Sequence, residues 1–133
     1  MLFLGLGTGL GSALISENAV IPLELGQLLF RDGQNLGQVL GKKGYERLGK
    51  DEWIKAVQEA VKALSVAFIA DYVVLGGGNA KKLHGLVAGS RLGHNLTAFR
   101  GGHRLWNIDQ VPTLSAEGDH TAPQPLQADW RVI

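Results

Sequence analysis

Four glycines, Gly5, Gly7, Gly9 and Gly11, recur at every second position near the start of the chain. They lie between two short apolar stretches, 2–5 and 12–15, so the natural reading is two strands joined by a glycine-rich turn over 6–11. A turn built on Gly7, Thr8 and Gly9 presents backbone N–H groups with little side-chain bulk in front of them. Successive donors of that kind form a concavity for anions, and Thr8 adds a hydroxyl. A hairpin that needs only positive φ at its turn would use the same glycines. A second group, Gly76, Gly77, Gly78 and Asn79, follows the apolar run 72–75. That run suits a strand covered on both faces, and Asn79 is a favoured N-cap for a helix opening at Ala80, Lys81, Lys82 and Leu83. Three glycines there would leave a flat surface at the carboxyl edge of the sheet, where a planar base or a ribose could lie. Close helix packing is the competing explanation. Glu24 is an acid in an apolar strand over 18–25, pointing opposite to Leu23 and Leu25. Its carboxylate could accept hydrogen bonds from sugar hydroxyls, or simply face water.

Several better-known motifs fail. The dinucleotide fingerprint needs a third glycine three places after the second, and those places hold Leu10 or Ser12. The segment after Gly11 is strand-like, so no helix N-terminus meets a pyrophosphate. The stretch 44–51 matches a P-loop until Asp51 stands where Ser or Thr should bind magnesium, and it comes after a helix rather than a strand. A helix stop and then a helix start account for it. The histidines His84, His94, His103 and His120 have no metal-ligand spacing, and no G-x-S-x-G elbow is present.

The elements that must hold these residues are read from periodicity. Pro22 pushes the third strand towards an edge or a bulge, and 32–35 reads as a turn. A weak helical pattern covers 36–48, with Gly49 as its stop. The strongest helix runs over 53–68, with Trp53, Val57, Ala60, Val61, Leu64 and Phe68 on one face and Asp51 and Glu52 in its first turn. A last short helix is expected over 98–106. The expected fold is α/β, a mixed sheet of three antiparallel strands plus parallel strands flanked by helices. Residues 1–109 form one domain and 110–133 a loose tail or linker. At 133 residues and net charge +1 the chain can bury a core and has no global basic field for nucleic acid or an anionic membrane. The absence of cysteine excludes a disulfide scaffold, thiol catalysis and thiolate zinc. Nineteen glycines are about twice the usual share. The apolar start has no basic lead-in and is interrupted by glycine, so neither a signal peptide nor a membrane span is expected. The expected location is cytoplasmic.

Taken together, these residues resemble the ROK family of sugar kinases, within the actin/hexokinase-like ATPase superfamily. Residues 4–13 are similar to the family's second phosphate motif, and 72–82 to its adenosine motif. The string 20–26 and the end 98–106 are similar to the polyphosphate glucokinase branch, which also lacks the cysteine zinc site of other members. The match covers about 2–106. It implies a ribonuclease H-like lobe in which Gly7, Thr8 and Gly9 hold phosphate. Gly76, Gly77, Gly78 and Asn79 would hold the nucleotide or face a polyphosphate channel. Glu24, with Gln27, would hold the sugar. Magnesium accompanying ATP or polyphosphate is the implied cofactor. Lys81 and Lys82 would either attract a polyanion or form a solvated pair.

Two departures qualify the resemblance. The sugar motif Glu-x-Gly-His has Gln27 where histidine is usual, and glutamine cannot take up a proton near neutral pH. The first lobe's Asp-x-Gly-Gly-Thr motif and the catalytic aspartate have no counterpart. The one Asn-x-Asp, 107–109, falls after the last matched segment, so no residue here is assigned a catalytic role. Met1 directly before a strand suits a truncated product. The leading expectation is therefore the C-terminal half of a glucokinase-like phosphotransferase, inactive alone, whose partners are a hexose, ATP or polyphosphate, and the missing first lobe or a homodimer partner. A non-catalytic binding or oligomerisation module is the alternative. A fragment of an ROK repressor ranks third, because neither a helix-turn-helix nor the zinc cysteines are present.

Overall fold

Leu2, Leu4 and Leu6 alternate with Phe3 and Gly5, and in the computed structural model every second residue of this strand is buried. The structure describes residues 1–17, 19–93 and 131–132. The helix expected over 98–106, His94, His103, His120 and most of 110–133 lie outside the described residues. Strand β1 (Leu2–Leu6) pairs antiparallel with β2 (Leu10–Ser16), which pairs antiparallel with β3 (Ala19–Leu23). After three helices the chain returns as β6 (Val73–Gly76), parallel to β1, and then as β7 (Ser90–Leu92), parallel to β6. Within the segment read as a tail, β8 (Arg131–Val132) pairs with β3. The six strands stand in the order β7-β6-β1-β2-β3-β8. This is the expected mixed α/β sheet. Pro22 pairs with Ala13 on one side and lies beyond the two residues of β3 that pair with β8, so its missing N–H interrupts no ladder.

Between β3 and β6 the chain is richer in elements than its pattern suggested. The turn at Asp32 and Gly33, both with positive φ, joins two very short strands, β4 (Leu29–Arg31) and β5 (Gln34–Asn35). The helix expected over 36–48 is two helices, α1 (Leu36–Leu40) and α2 (Lys42–Leu48). Asn35 and Gln38 close a capping box on α1. Gly41 breaks the run in an extended conformation, and a Cβ there would overlap the Thr8 carbonyl oxygen and the Gly9 Cα. Gly49, at φ 76°, ends α2 and starts α3 (Lys50–Ala67), as the helix-stop reading of 44–51 anticipated.

The apolar face of α3 (Trp53, Ala56, Val57, Ala60, Val61, Leu64) is buried against the sheet's leucines and Val73 and Leu75. Trp53 is fully buried at the centre. Its indole N–H donates to the Leu40 carbonyl at 3.0 Å, and Tyr45 meets the ring edge-on with centroids 5.3 Å apart. No described side chain leaves a buried polar atom unpaired. Among the described residues, no helix is long and apolar enough to cross a membrane.

The carboxyl end of α3 carries a local conflict. The Ala70 N–H bonds the Ser65 carbonyl and the Ile69 N–H bonds the Val66 carbonyl, a Schellman closure whose left-handed position normally takes glycine. Here Ile69 occupies it, at φ 49° and 90% exposed. A β-branched residue in that conformation costs about 1–2 kcal/mol, and the exposed side chain recovers little by burial. Ile69→Gly is therefore expected to raise stability by about 1 kcal/mol in urea unfolding. A lower midpoint would show that the Ile69 side chain is held by contacts stronger than the strain.

Candidate functional site

The pairing pattern fixes where the candidate residues lie. Strands β1, β3, β6 and β7 all point the same way, and β2 starts at the edge where they end. The 7–9 turn after β1, the 24–27 segment after β3 and the 76–79 loop after β6 therefore share one edge of the sheet. The carboxyl edge of an open α/β sheet is where ligands usually bind.

The turn between β1 and β2 is held from two sides. The Lys42 backbone N–H donates to the Gly7 carbonyl at 3.0 Å and to the Thr8 carbonyl at 3.2 Å. From the β6 side, the Asn79 backbone N–H donates to the Leu6 carbonyl at 2.9 Å, and the Asn79 side-chain amide donates to the Gly7 carbonyl at 2.9 Å. Gly7 spends its own N–H inside the turn, on the Gly9 carbonyl. Thr8 and Gly9 are exposed, and their amides donate to no group among the described residues. The carbonyls thus point inward and two amides remain outward, the arrangement that attracts an anion.

Space sorts the glycines into two kinds. At Gly7, Gly9, Gly11 and Gly78 a Cβ would meet no atom of the described residues within 4 Å, and none of the four has a left-handed φ. Positive φ therefore does not account for Gly7 and Gly9. Neither turn geometry nor packing within the described chain requires these residues to be glycine. Gly76 and Gly77 differ. A Cβ on Gly76 would stand 2.7 Å from the Phe3 ring, and Gly77 has φ 83° with its Cβ position 2.5 Å from the Leu6 carbonyl oxygen. Of the three glycines expected to form a flat ligand surface, Gly77 is required by the backbone, Gly76 seats the Phe3 ring, and Gly78 is the open one. Gly11 was noted in the every-second spacing but given no binding role from sequence.

Two further expectations change. Asn79 does not cap a helix. The next element is a single 3₁₀ turn, Ala80–Lys82, no side-chain cap bond forms, and the Asn79 side-chain amide donates to Gly7. Glu24 is not inside a strand. Ser12 Oγ donates to the Leu23 carbonyl at 2.7 Å and accepts from the Leu25 N–H at 3.1 Å, which ends β3 and turns the chain into a 3₁₀ turn, Leu25–Gln27. Glu24 and Gln27 are both exposed there, and the Gln27 side-chain oxygen accepts from Asn35 at 3.4 Å. Lys82 Nζ stands 3.7 Å from the Tyr45 ring centroid, while Lys81 is exposed. On α3 the Lys55 ammonium, bonded at 2.7 Å, holds the exposed Glu52 carboxyl below its usual range, and Glu52 in turn raises Lys55. That pair includes no candidate residue. Among the described residues no three His, Asp or Glu side chains gather to hold a metal.

No family model matches the chain, and no curated protein matches it. Among solved structures it is similar to an inorganic polyphosphate/ATP-glucomannokinase from Arthrobacter sp. strain KM, with a TM-score of 0.59 and 28% identity. The similarity covers 68% of this chain and 39% of the glucomannokinase chain. This chain is thus kinase-like over a stretch corresponding to about two fifths of that protein.

The two kinds of glycine separate stability from binding. Gly9→Ala and Gly78→Ala are expected to leave the unfolding free energy from urea titration within about 0.5 kcal/mol of the parent, because the new methyl meets no described atom. Gly77→Ala is expected to destabilise by more than about 1 kcal/mol, from strain at positive φ and overlap with Leu6. Equal losses from all three would contradict the sorting.

Proposed function

We propose that this chain is the phosphate- and sugar-binding second lobe of a glucokinase-like phosphotransferase of the ROK type, with the ribonuclease H-like fold of that superfamily. The observation that carries the reading is the meeting of two glycine segments at the carboxyl edge of a mixed sheet. The turn 7–9 and the loop 76–79 are joined through Asn79, in a chain 28% identical to a glucomannokinase over 68% of its length.

In phosphoryl transfer the protein mainly positions groups and offsets charge. The Thr8 and Gly9 amides and the Thr8 hydroxyl donate to phosphate oxygens. Gly9, Gly11 and Gly78 leave backbone open to close approach. The Glu24 carboxylate accepts from a sugar hydroxyl, and the Gln27 amide can donate or accept beside it. No residue here is assigned as the general base, which contributes roughly 10²–10⁴-fold, so the chain alone turns over hexose slowly or not at all. The described residues offer no ligand set for a resident metal, and magnesium enters this reading only as the counter-ion of ATP or polyphosphate. A first lobe or a second copy completes the site and closes over the substrate.

A thermal-shift titration with Mg-ATP, polyphosphate and glucose tests this reading. A ligand that binds only the folded chain stabilises it by about 2.7 kcal/mol at a hundredfold excess over Kd. A rise in melting temperature with ATP or polyphosphate is expected, and the one that raises it identifies the donor. No rise with either would overturn the assignment of a working phosphate site to this lobe.

A further inference from the structure

We propose that Asn79 is a positioning residue for the 7–9 turn and makes no direct contact with nucleotide. The proposal rests on the reading of that turn as a phosphate site. A backbone turn carries as many acceptors as donors, so it attracts an anion only if its carbonyls are engaged elsewhere. Here each carbonyl from Leu6 to Gly9 has a donor, and Asn79 supplies one to Leu6 and one to Gly7. The other donors are the Lys42 N–H, to Gly7 and Thr8, and the Gly7 N–H, to Gly9. Asn79 is half-buried, and its side-chain amide is committed to a residue 72 positions away instead of to its own 3₁₀ turn. The chemistry needs an uncharged donor. An aspartate of the same shape would set a carboxylate oxygen against the Gly7 carbonyl and place a negative charge beside the anion.

The test uses the full chain, with inorganic tripolyphosphate and ATP as separate probes in calorimetric titrations. Backbone amide resonances of the free protein are recorded alongside. Asn79→Ala is expected to weaken both probes by the same factor, about tenfold, the scale of one lost ordering hydrogen bond. Asn79→Asp is expected to weaken both further. In the unliganded Asn79→Ala protein the Thr8 and Gly9 amide resonances move while those of α3 stay in place. A loss for ATP with tripolyphosphate unchanged would mean direct contact with the nucleoside and overturn the proposal. So would unchanged affinity for both, or resonance changes spread through α3, which indicate general loosening. If the parent chain binds neither probe, the phosphate reading fails by itself. The positioning role then stands or falls on whether the Thr8 and Gly9 resonances move. Should Asn79→Ala not fold, Asn79→Ser is read in the same way.

Discussion

The parallel pairing of β1 with β6, in the register Leu2 to Val73 through Gly5 to Gly76, brings the chain's two glycine segments to one place. They are about 70 residues apart in sequence, and only this ladder makes them neighbours. The helices between them exist in this arrangement because a parallel return needs a crossover, and three helices supply it. The buried face of α3 and the fully enclosed Trp53 hold that crossover against Leu2, Leu4, Leu6, Val73 and Leu75. The α1–α2 junction then lies under the 7–9 turn, where the Lys42 amide engages its carbonyls. Core packing on one face of the sheet and donor display at its edge are consequences of the same pairing.

Glycine serves two purposes at this edge, and the two are spatially interleaved. Gly76 gives the Phe3 ring its place against β6, and Gly77 lets the chain leaving β6 approach the Leu6 backbone more closely than any side chain allows. Among the described residues, Gly7, Gly9, Gly11 and Gly78 have open space in front of them and no left-handed φ. Glycine in such positions costs the fold conformational entropy without a return from packing among the described residues. In the function proposed above, a ligand that approaches the backbone closely is the reason for them. The first kind of glycine builds the edge and the second leaves it accessible.

The architecture was largely legible because its main elements carry strong periodicity: alternation in β1, a continuous apolar run in β6, and spacings of three and four in α3. The features that were not legible depended on contacts between distant residues. Nothing local to 36–48 says that the helix must break at Gly41, since the cause is Thr8 and Gly9 against its backbone. The strand expected over 18–25 stops at Leu23 because Ser12 captures the Leu23 carbonyl and the Leu25 amide. Asn79 has the composition of a cap, but its side-chain amide donates to a tertiary acceptor, the Gly7 carbonyl. Strands β4, β5 and β7 are two or three residues long, too short for a pattern to register. At the candidate site the segments were named from sequence, but which of their glycines the fold itself requires emerged only from the packing.

The central claim is that the open edge built by these glycines receives phosphate, and amide chemical shifts read it residue by residue. Tripolyphosphate would be titrated into the isotope-labelled full chain while backbone resonances are followed. The account predicts that Thr8, Gly9, Gly11 and Gly78 shift most, with residues of β4 and β5 unmoved. Shifts centred on the lysines of α2 with the 7–9 turn silent, or no shifts at saturating ligand, would contradict it.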